Sequence, residues 1–331
     1  MKKVRSPRPI GRNIAMELVR ITEAAALAAA HYMGMGDKDL VDQAAVDAMR
    51  TTLNHTRIDG VVVIGEGEKD QAPMLYIGES VGDGVGLQVD VAVDPIDGTK
   101  LLARGLPGAI SAVALSARGT MNCPRQFVYM NKIVVGREAR GVIDINATVA
   151  DNLINIARAK KRKLPEITVV VLDRPRHEQL LAEIREAGAR VKLISDGDVA
   201  AGIQAAIPDS GVDVLMGIGG TPEGVLTAAA VRCIGGEIHG KAWPRNEQER
   251  RAAASTGIDV DRIYTAADLV AGNDMFFAAT GASSGELLQG VRYSGGGART
   301  QSLAMRSLSG TTRWIESHHD FKRRHKLRFP D

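Results

Sequence analysis

Two short acidic motifs carry most of the chemistry this sequence can perform. VIGEGE at residues 63–68 and VDPIDGT at residues 93–99 supply Glu66, Glu68, Asp94 and Asp97, with no cysteine or histidine inside either motif. Oxygen-only clusters of this kind suit Mg²⁺ or Mn²⁺, hard cations that take carboxylate, carbonyl and water ligands. Four carboxylates crowded without cations would repel one another and take up protons, whereas a divalent ion makes the crowding favourable. GEGE alone reads as a solvated turn; paired with VDPIDGT it reads as half of a metal centre. After Asp97 come Gly98 and Thr99, where the chain can enter a helix whose free backbone N–H groups would cradle a phosphate.

Strand ends must deliver these acids. Val61 to Ile64 is a β-branched run closing in a glycine-carboxylate turn, and residues 88–94 alternate Val89, Val91 and Val93 against Gln88, Asp90 and Asp94. Upstream, residues 12–33 place Ile14, Leu18, Ile21 and Ala25 on one helical face, and Gly34-Met35-Gly36 separates that helix from one opening at Asp37. In this second helix Asp42 shares a face with Ala45, Val46 and Met49, an unusual border for a carboxylate.

From about residue 148 the rhythm becomes helix to about 160, strand 167–172, helix 176–187, strand 190–194, helix 198–206, strand 212–216 and helix 222–234. This alternation predicts a mostly parallel sheet buried between helices, with ligands beyond the carboxyl ends of its strands. Those ends read Asp173-Arg174-Pro175-Arg176, Ser195-Asp196-Gly197-Asp198 and Gly217-Ile218-Gly219-Gly220-Thr221-Pro222-Glu223. The last glycine run also suggests a dinucleotide-binding oxidoreductase. There, however, Pro222 replaces the third glycine and Glu223 sets a negative charge where a pyrophosphate needs an electropositive helix start.

At 331 residues the chain is too long for one small core, and two lobes are expected, 1–150 and 151–331. Gly at 36 against 4% aromatics predicts a polar, backbone-lined site. Lys plus Arg 42 against Asp plus Glu 39 leaves a formal charge of +3. Residues 1–12 hold +5 and residues 313–331 hold +3, so the body carries −5. Basic ends without a base-reading motif or stacking aromatics give no nucleic-acid partner. No apolar stretch spans a bilayer or follows the N-terminal cations as a signal peptide, so no membrane partner is expected. Cys123 and Cys233 are far apart and form no CxxC pair, which fits a reducing cytoplasm.

Beyond the two acidic motifs, GDK at 36–38, IDGxVVIGEGExDxAPMLYIGE across 58–79, YMNKIVVG at 129–136, RPRH at 174–177, SDGDVAA at 195–201, DVLMGIGGTPEG at 213–224 and FFAATG at 276–281 run in order through the chain. Together these blocks resemble class II fructose-1,6-bisphosphatases, within the lithium-sensitive sugar and inositol phosphatase superfamily. Only the termini and residues 241–262 look unlike that family. The resemblance implies an α/β fold, the layered α-β-α-β-α sugar phosphatase sandwich. It implies hydrolysis of the 1-phosphate of fructose 1,6-bisphosphate in gluconeogenesis, with sedoheptulose 1,7-bisphosphate a further substrate of some bacterial members. Mn²⁺ or Mg²⁺ is the implied cofactor and a homodimer or homotetramer the implied assembly.

Residue by residue, the resemblance assigns one metal to Asp42 and Glu66 and another to Asp94, Asp97 and Glu223. It assigns substrate contacts to Asp97, Gly98, Thr99, Tyr129, Arg174, Pro175, Arg176, Asp196, Gly197, Asp198 and Gly220, and catalytic roles to Glu66, Thr99 and Lys38. Glutamate is usual in the family where Asp97 stands, whereas the wider superfamily uses aspartate. Arg176 with Arg174 is expected to hold the uncleaved phosphate, because planar guanidinium matches phosphate oxygens bidentately. An inositol- or nucleotide-phosphate phosphatase of the same superfamily is the competing reading, and the second, arginine-bearing loop argues against it. A nucleic-acid-binding protein working through its basic ends is the alternative of another class.

Overall fold

The structure, a computed structural model, describes residues 14–67, 74–124, 127–255 and 259–324. Its first two elements follow from local signals. Helix α1 (Ile14–Ala30) buries Leu18, Ile21 and Ala25, and α2 (Lys38–Asn54) starts where the Asp37 carboxylate accepts the N–H groups of Asp39 and Leu40. Gly34 and Gly36, at φ 77° and 80°, take the left-handed backbone that turns the chain between them.

Strands β1 (Ile58–Ile64), β2 (Ser80–Val81) and β3 (Leu87–Asp97) follow, then the short helix α3 (Thr99–Ala103) and β4 (Ile110–Ala117). The middle of the chain gives β5 (Tyr129–Val135), α4 (Val149–Ala159), β6 (Thr168–Leu172), α5 (Glu178–Glu186), β7 (Arg190–Ile194), α6 (Asp198–Ala206), β8 (Val214–Gly220), α7 (Thr221–Ile234) and β9 (Glu237–Ala242). The last part contains α8 (Glu247–Ser255), β10 (Ile263–Thr265), α9 (Ala266–Leu269), β11 (Phe276–Gly281), β12 (Arg292–Ser294), β13 (Gly297–Arg306), β14 (Thr311–Asp320) and α10 (Phe321–Arg324).

These strands form two sheets. One runs β12-β13-β11-β4-β3-β1-β2, with β14 also paired to β13; the other runs β10-β9-β5-β8-β6-β7. The core divides into three apolar layers around them. Helices α1 and α2 cover the face of the first sheet that presents Val89, Val91 and Val93. Helices α6 and α7 fill the space between the sheets, against Ala92, Ala112 and Ala114 on one side and Met130 and Val134 on the other. Helices α4 and α5 cover the outer face of the second sheet at Ile133, Val169 and Val171. The order is therefore α-β-α-β-α, as the resemblance implied.

Three expectations change. The second sheet is parallel only across β8-β6-β7, because β5 inserts antiparallel between β8 and β9. A break at residue 150 does not follow the sheets, since β11 to β14 return to the first sheet and the second begins at β5. Strand β8 extends to Gly220 rather than ending at 216, so the glycine run lies inside the strand and α7 follows with no loop. Within β3, Asp90 is buried and its Oδ2 accepts the N–H groups of Thr120 and Met121. Among the described residues, no helix is long and apolar enough to cross a membrane.

Candidate active site

A cavity of about 550 Å³ opens where the ends of β1, β3, β6 and β8 meet α2, α3, α6 and α7. Its acidic wall comes mainly from the first sheet. At the end of β1 the backbone of Gly65 lies so close to Leu75 that a Cβ would stand 2.0 Å from the Leu75 carbonyl oxygen. The Glu66 N–H donates to that same carbonyl at 3.1 Å, which fixes where Glu66 leaves the strand. In β3, Pro95 offers no N–H to the ladder and the pairing with β4 shifts register between Asp94 and Asp97. That irregularity brings both aspartates to the cavity. Asp42 comes from α2, and Glu223, in the first turn of α7, folds back over Gly220. A Cβ on Gly220 would lie 1.8 Å from Glu223 Oε2.

These acids raise one another's proton affinity. Burial pushes Glu66 up to about 7, with Asp42 and Glu223 adding to it. Asp94 rises well above the ordinary aspartate value through burial first, then Asp97, Glu223, Glu66 and Asp42. Asp97 rises through burial and Asp198, opposed by the Ala200 N–H that its Oδ2 accepts at 3.1 Å. Burial and then Asp198 raise Glu223, against the pull of Lys132, and burial followed by Asp39 raises Asp42. Glu223 Oε2 is buried with no hydrogen-bond partner. Among the described residues no three acidic side chains stand at metal-ligating spacing. What fits a hard cation is the donor set itself: a partnerless buried carboxylate oxygen among carboxylates that burial and repulsion hold toward the neutral form.

The other wall belongs to the second sheet. Beyond β6, Pro175 opens a single 3₁₀ turn over residues 175–177 that presents Arg174 and Arg176. Arg176 donates from Nη2 and Nε to the Ile218 carbonyl at 2.8 and 3.3 Å, and its guanidinium lies 5.2 Å from the Tyr129 ring centroid. Arg174 approaches Asp196 Oδ1 at 3.5 Å. Gly197, at φ 82°, caps α6 and lets Asp196 and Asp198 flank the turn. Asp198 pairs with the buried Lys132 at 2.5 Å, and Lys132 also donates to the Gly220 carbonyl at 3.1 Å. A Cβ on Gly219 would lie 1.9 Å from Asp198 Oδ2. The glycines of β8 therefore make room for carboxylates, which removes the dinucleotide reading of that run.

Asp42, Glu66, Asp94, Asp97, Gly98, Thr99, Tyr129, Arg174, Arg176, Asp196, Gly197, Asp198, Gly220 and Glu223 all line this one cavity. Lys38 and Pro175 do not. Lys38 opens α2 with its side chain 65% exposed, 3.5 Å from Asp39, and Pro175 only shapes the arginine turn. Glu68 lies outside the described residues. The phosphate cradle expected at a helix start after Asp97 has little behind it, because α3 is five residues long. The Thr99 hydroxyl donates to the Ile96 carbonyl at 3.0 Å. Sequence reasoning missed Lys100, which lines the cavity, and Lys132; a lone cation inside the apolar run of β5 was the available signal for the second.

A sequence profile described as bacterial fructose-1,6-bisphosphatase, glpX-encoded, matches residues 12–319. The chain belongs to this family. It is 45% identical over 327 residues to fructose-1,6-bisphosphatase 1 class 2 of Escherichia coli K12, covering 95% of this chain and 97% of the relative. The class 2 fructose-1,6-bisphosphatase of Shigella flexneri matches to the same extent. Among solved structures, the extragenic suppressor protein SuhB of Bartonella henselae is similar over 58% of this chain and 73% of its own, at 13% identity and a TM-score of 0.33. A likeness that slight carries no argument. As a bisphosphatase of class 2, the enzyme is a phosphoric monoester hydrolase acting on fructose 1,6-bisphosphate. The cavity agrees in kind, since acids and guanidinium groups share it.

Proposed function

We propose that the acidic wall cleaves the 1-phosphate while Arg176, with Arg174, holds the phosphate that stays on the sugar. The observation that supports this reading is that one cavity holds both a cluster of buried carboxylates and the two guanidinium groups of the turn after β6. Asp42 and Glu66 would hold one divalent ion and Asp94, Asp97 and Glu223 another, Mg²⁺ or Mn²⁺ by the all-oxygen donor set, and such ions neutralise the phosphoryl oxygens when bound. Glu66 would take a proton from the attacking water. The Thr99 hydroxyl, its own proton engaged by Ile96, turns its lone pairs to that water and orients it. Asp196 and Asp198 accept hydrogen bonds from the sugar hydroxyls. Tyr129 lies against the Arg176 guanidinium and limits its rotamers.

Sedoheptulose 1,7-bisphosphate presents the same pair of terminal phosphates, and we include it among the substrates. A cytoplasmic homodimer or homotetramer belongs to the same proposal; sedimentation of the purified protein checks the assembly. Phosphate release from fructose 1,6-bisphosphate, sedoheptulose 1,7-bisphosphate and inositol 1-phosphate, each with Mg²⁺, Mn²⁺ or chelator, tests the reading. Turnover is expected on both bisphosphates with metal only. Equal turnover of inositol 1-phosphate would overturn the two-phosphate assignment.

A further inference from the structure

Strands β6 and β8 pair only at Val169 with Val214 and at Val170 with Leu215. Continued at the same register, Leu172 would face Gly217, and the next rung of a parallel ladder would run from the Ile218 N–H to the Leu172 carbonyl. That rung is not formed. The imidazole of His177 stands in it. Its Nδ1 lies 2.7 Å from the Leu172 carbonyl, and the Ile218 N–H donates to its Nε2 at 2.7 Å. A carbonyl only accepts and an N–H only donates, so the ring is neutral with its proton on Nδ1. The ring is buried, and Gly217 gives it space: a Cβ there would lie 2.9 Å from Nε2. Ile218 is thus held at both peptide groups, its N–H by His177 and its carbonyl by Arg176. Arg176 commits two of its five N–H groups to that carbonyl and keeps the rest for the cavity.

We propose that His177 is a positioning residue for the arginine that grips the uncleaved phosphate, its ring replacing the missing ladder rung so that the Ile218 carbonyl stays where Arg176 needs it. The inference rests on the reading of Arg176 given above. It separates the two hydrogen bonds of the ring. The Ile218 bond sets the arginine anchor, whereas the Leu172 bond only steadies the ring.

Two amide substitutions divide these roles, since a glutamine oxygen can reach toward the Nε2 position and an asparagine nitrogen toward the Nδ1 position. His177→Asn loses the Ile218 bond. Its KM for fructose 1,6-bisphosphate should rise about ten-fold with kcat little changed, and its activity on p-nitrophenyl phosphate should stay near that of the parent. His177→Gln keeps the Ile218 bond and should stay within about three-fold of the parent KM. Adding His177→Asn to Arg176→Ala should raise KM no further than Arg176→Ala alone. Equal losses in both single variants, or equal losses on both substrates, would overturn the positioning role. If His177→Asn does not fold, a ten-fold KM rise in His177→Gln overturns it alone. Arg176→Ala without effect on bisphosphate selectivity would instead refute the reading of Arg176 and leave the ring geometry standing.

Discussion

The two walls of the cavity are finished in different ways. On the arginine side the protein supplies fixed partners: Arg176 is tied to the Ile218 carbonyl and lies against Tyr129, while Asp198 is paired with Lys132. On the acidic side burial first, and then neighbouring carboxylates, raise Asp42, Glu66, Asp94 and Glu223, and Glu223 keeps a partnerless oxygen. A preorganised wall fixes which substrate is oriented. A wall that is favourable only around added positive charge makes chemistry conditional on that charge.

The largest effect should come from the acidic wall. Asp94→Asn removes one charge from a buried carboxylate held well above its ordinary value, and kcat on fructose 1,6-bisphosphate should fall by roughly a thousand-fold or more with the far-ultraviolet circular dichroism unchanged. Full turnover by chelated parent protein would break the comparison outright. Next comes Thr99→Ala, expected to lower kcat by roughly a hundred-fold while KM moves little, because the hydroxyl serves the attacking water. A variant with normal kcat and only a lower melting temperature would reduce Thr99 to its turn bond with Ile96. On the arginine wall, Arg176→Ala should cut kcat/KM for the bisphosphate by about ten-fold or more and leave an aryl phosphate almost untouched. A parallel fall on both substrates would merge the two walls into one.

The smallest effect concerns stability. In the folded chain Glu66 titrates at about 7, against an ordinary value of 4.5. The folded state therefore binds more protons between those values. Its stability contribution is complete below 4.5 and is lost as pH rises through about 7. Thermal melting of chelated protein should decline across that window by several degrees, on the order of 3 kcal/mol, and added Mg²⁺ should flatten the decline. A flat profile in chelator would mean that Glu66 is solvated.

Much of this was readable from residue patterns because it is local. The helix pair around Gly34 and Gly36, the βα rhythm from residue 148 and the acid-bearing strand ends each depend on a few neighbouring residues, and the ordered motif blocks carried the layer order. What escaped is long-range. Nothing near Tyr129 shows that β5 will insert antiparallel between β8 and β9, because its partners lie about 90 and 110 residues away in sequence. Gly219 and Gly220 looked like a phosphate turn, since close approach by Asp198 and Glu223 is invisible until the helices are placed. Lys132 is a charge whose partner arrives with α6, and the burial of Asp90 is hidden in the sequence because its donors, the backbone N–H groups of Thr120 and Met121, lie beyond the next strand.

The return of β11 to the side of β4 has a consequence for synthesis. Until residues 276–281 leave the ribosome, β4, whose residues 110–116 are all buried in the finished protein, has an unpaired apolar edge. The first sheet, and with it the wall that carries Asp94 and Glu66, can close only when most of the chain has been made. A message cut short before that point therefore yields a sticky fragment and no partial enzyme, and nascent chains stalled in the 240s or 250s should be heavy clients of chaperones.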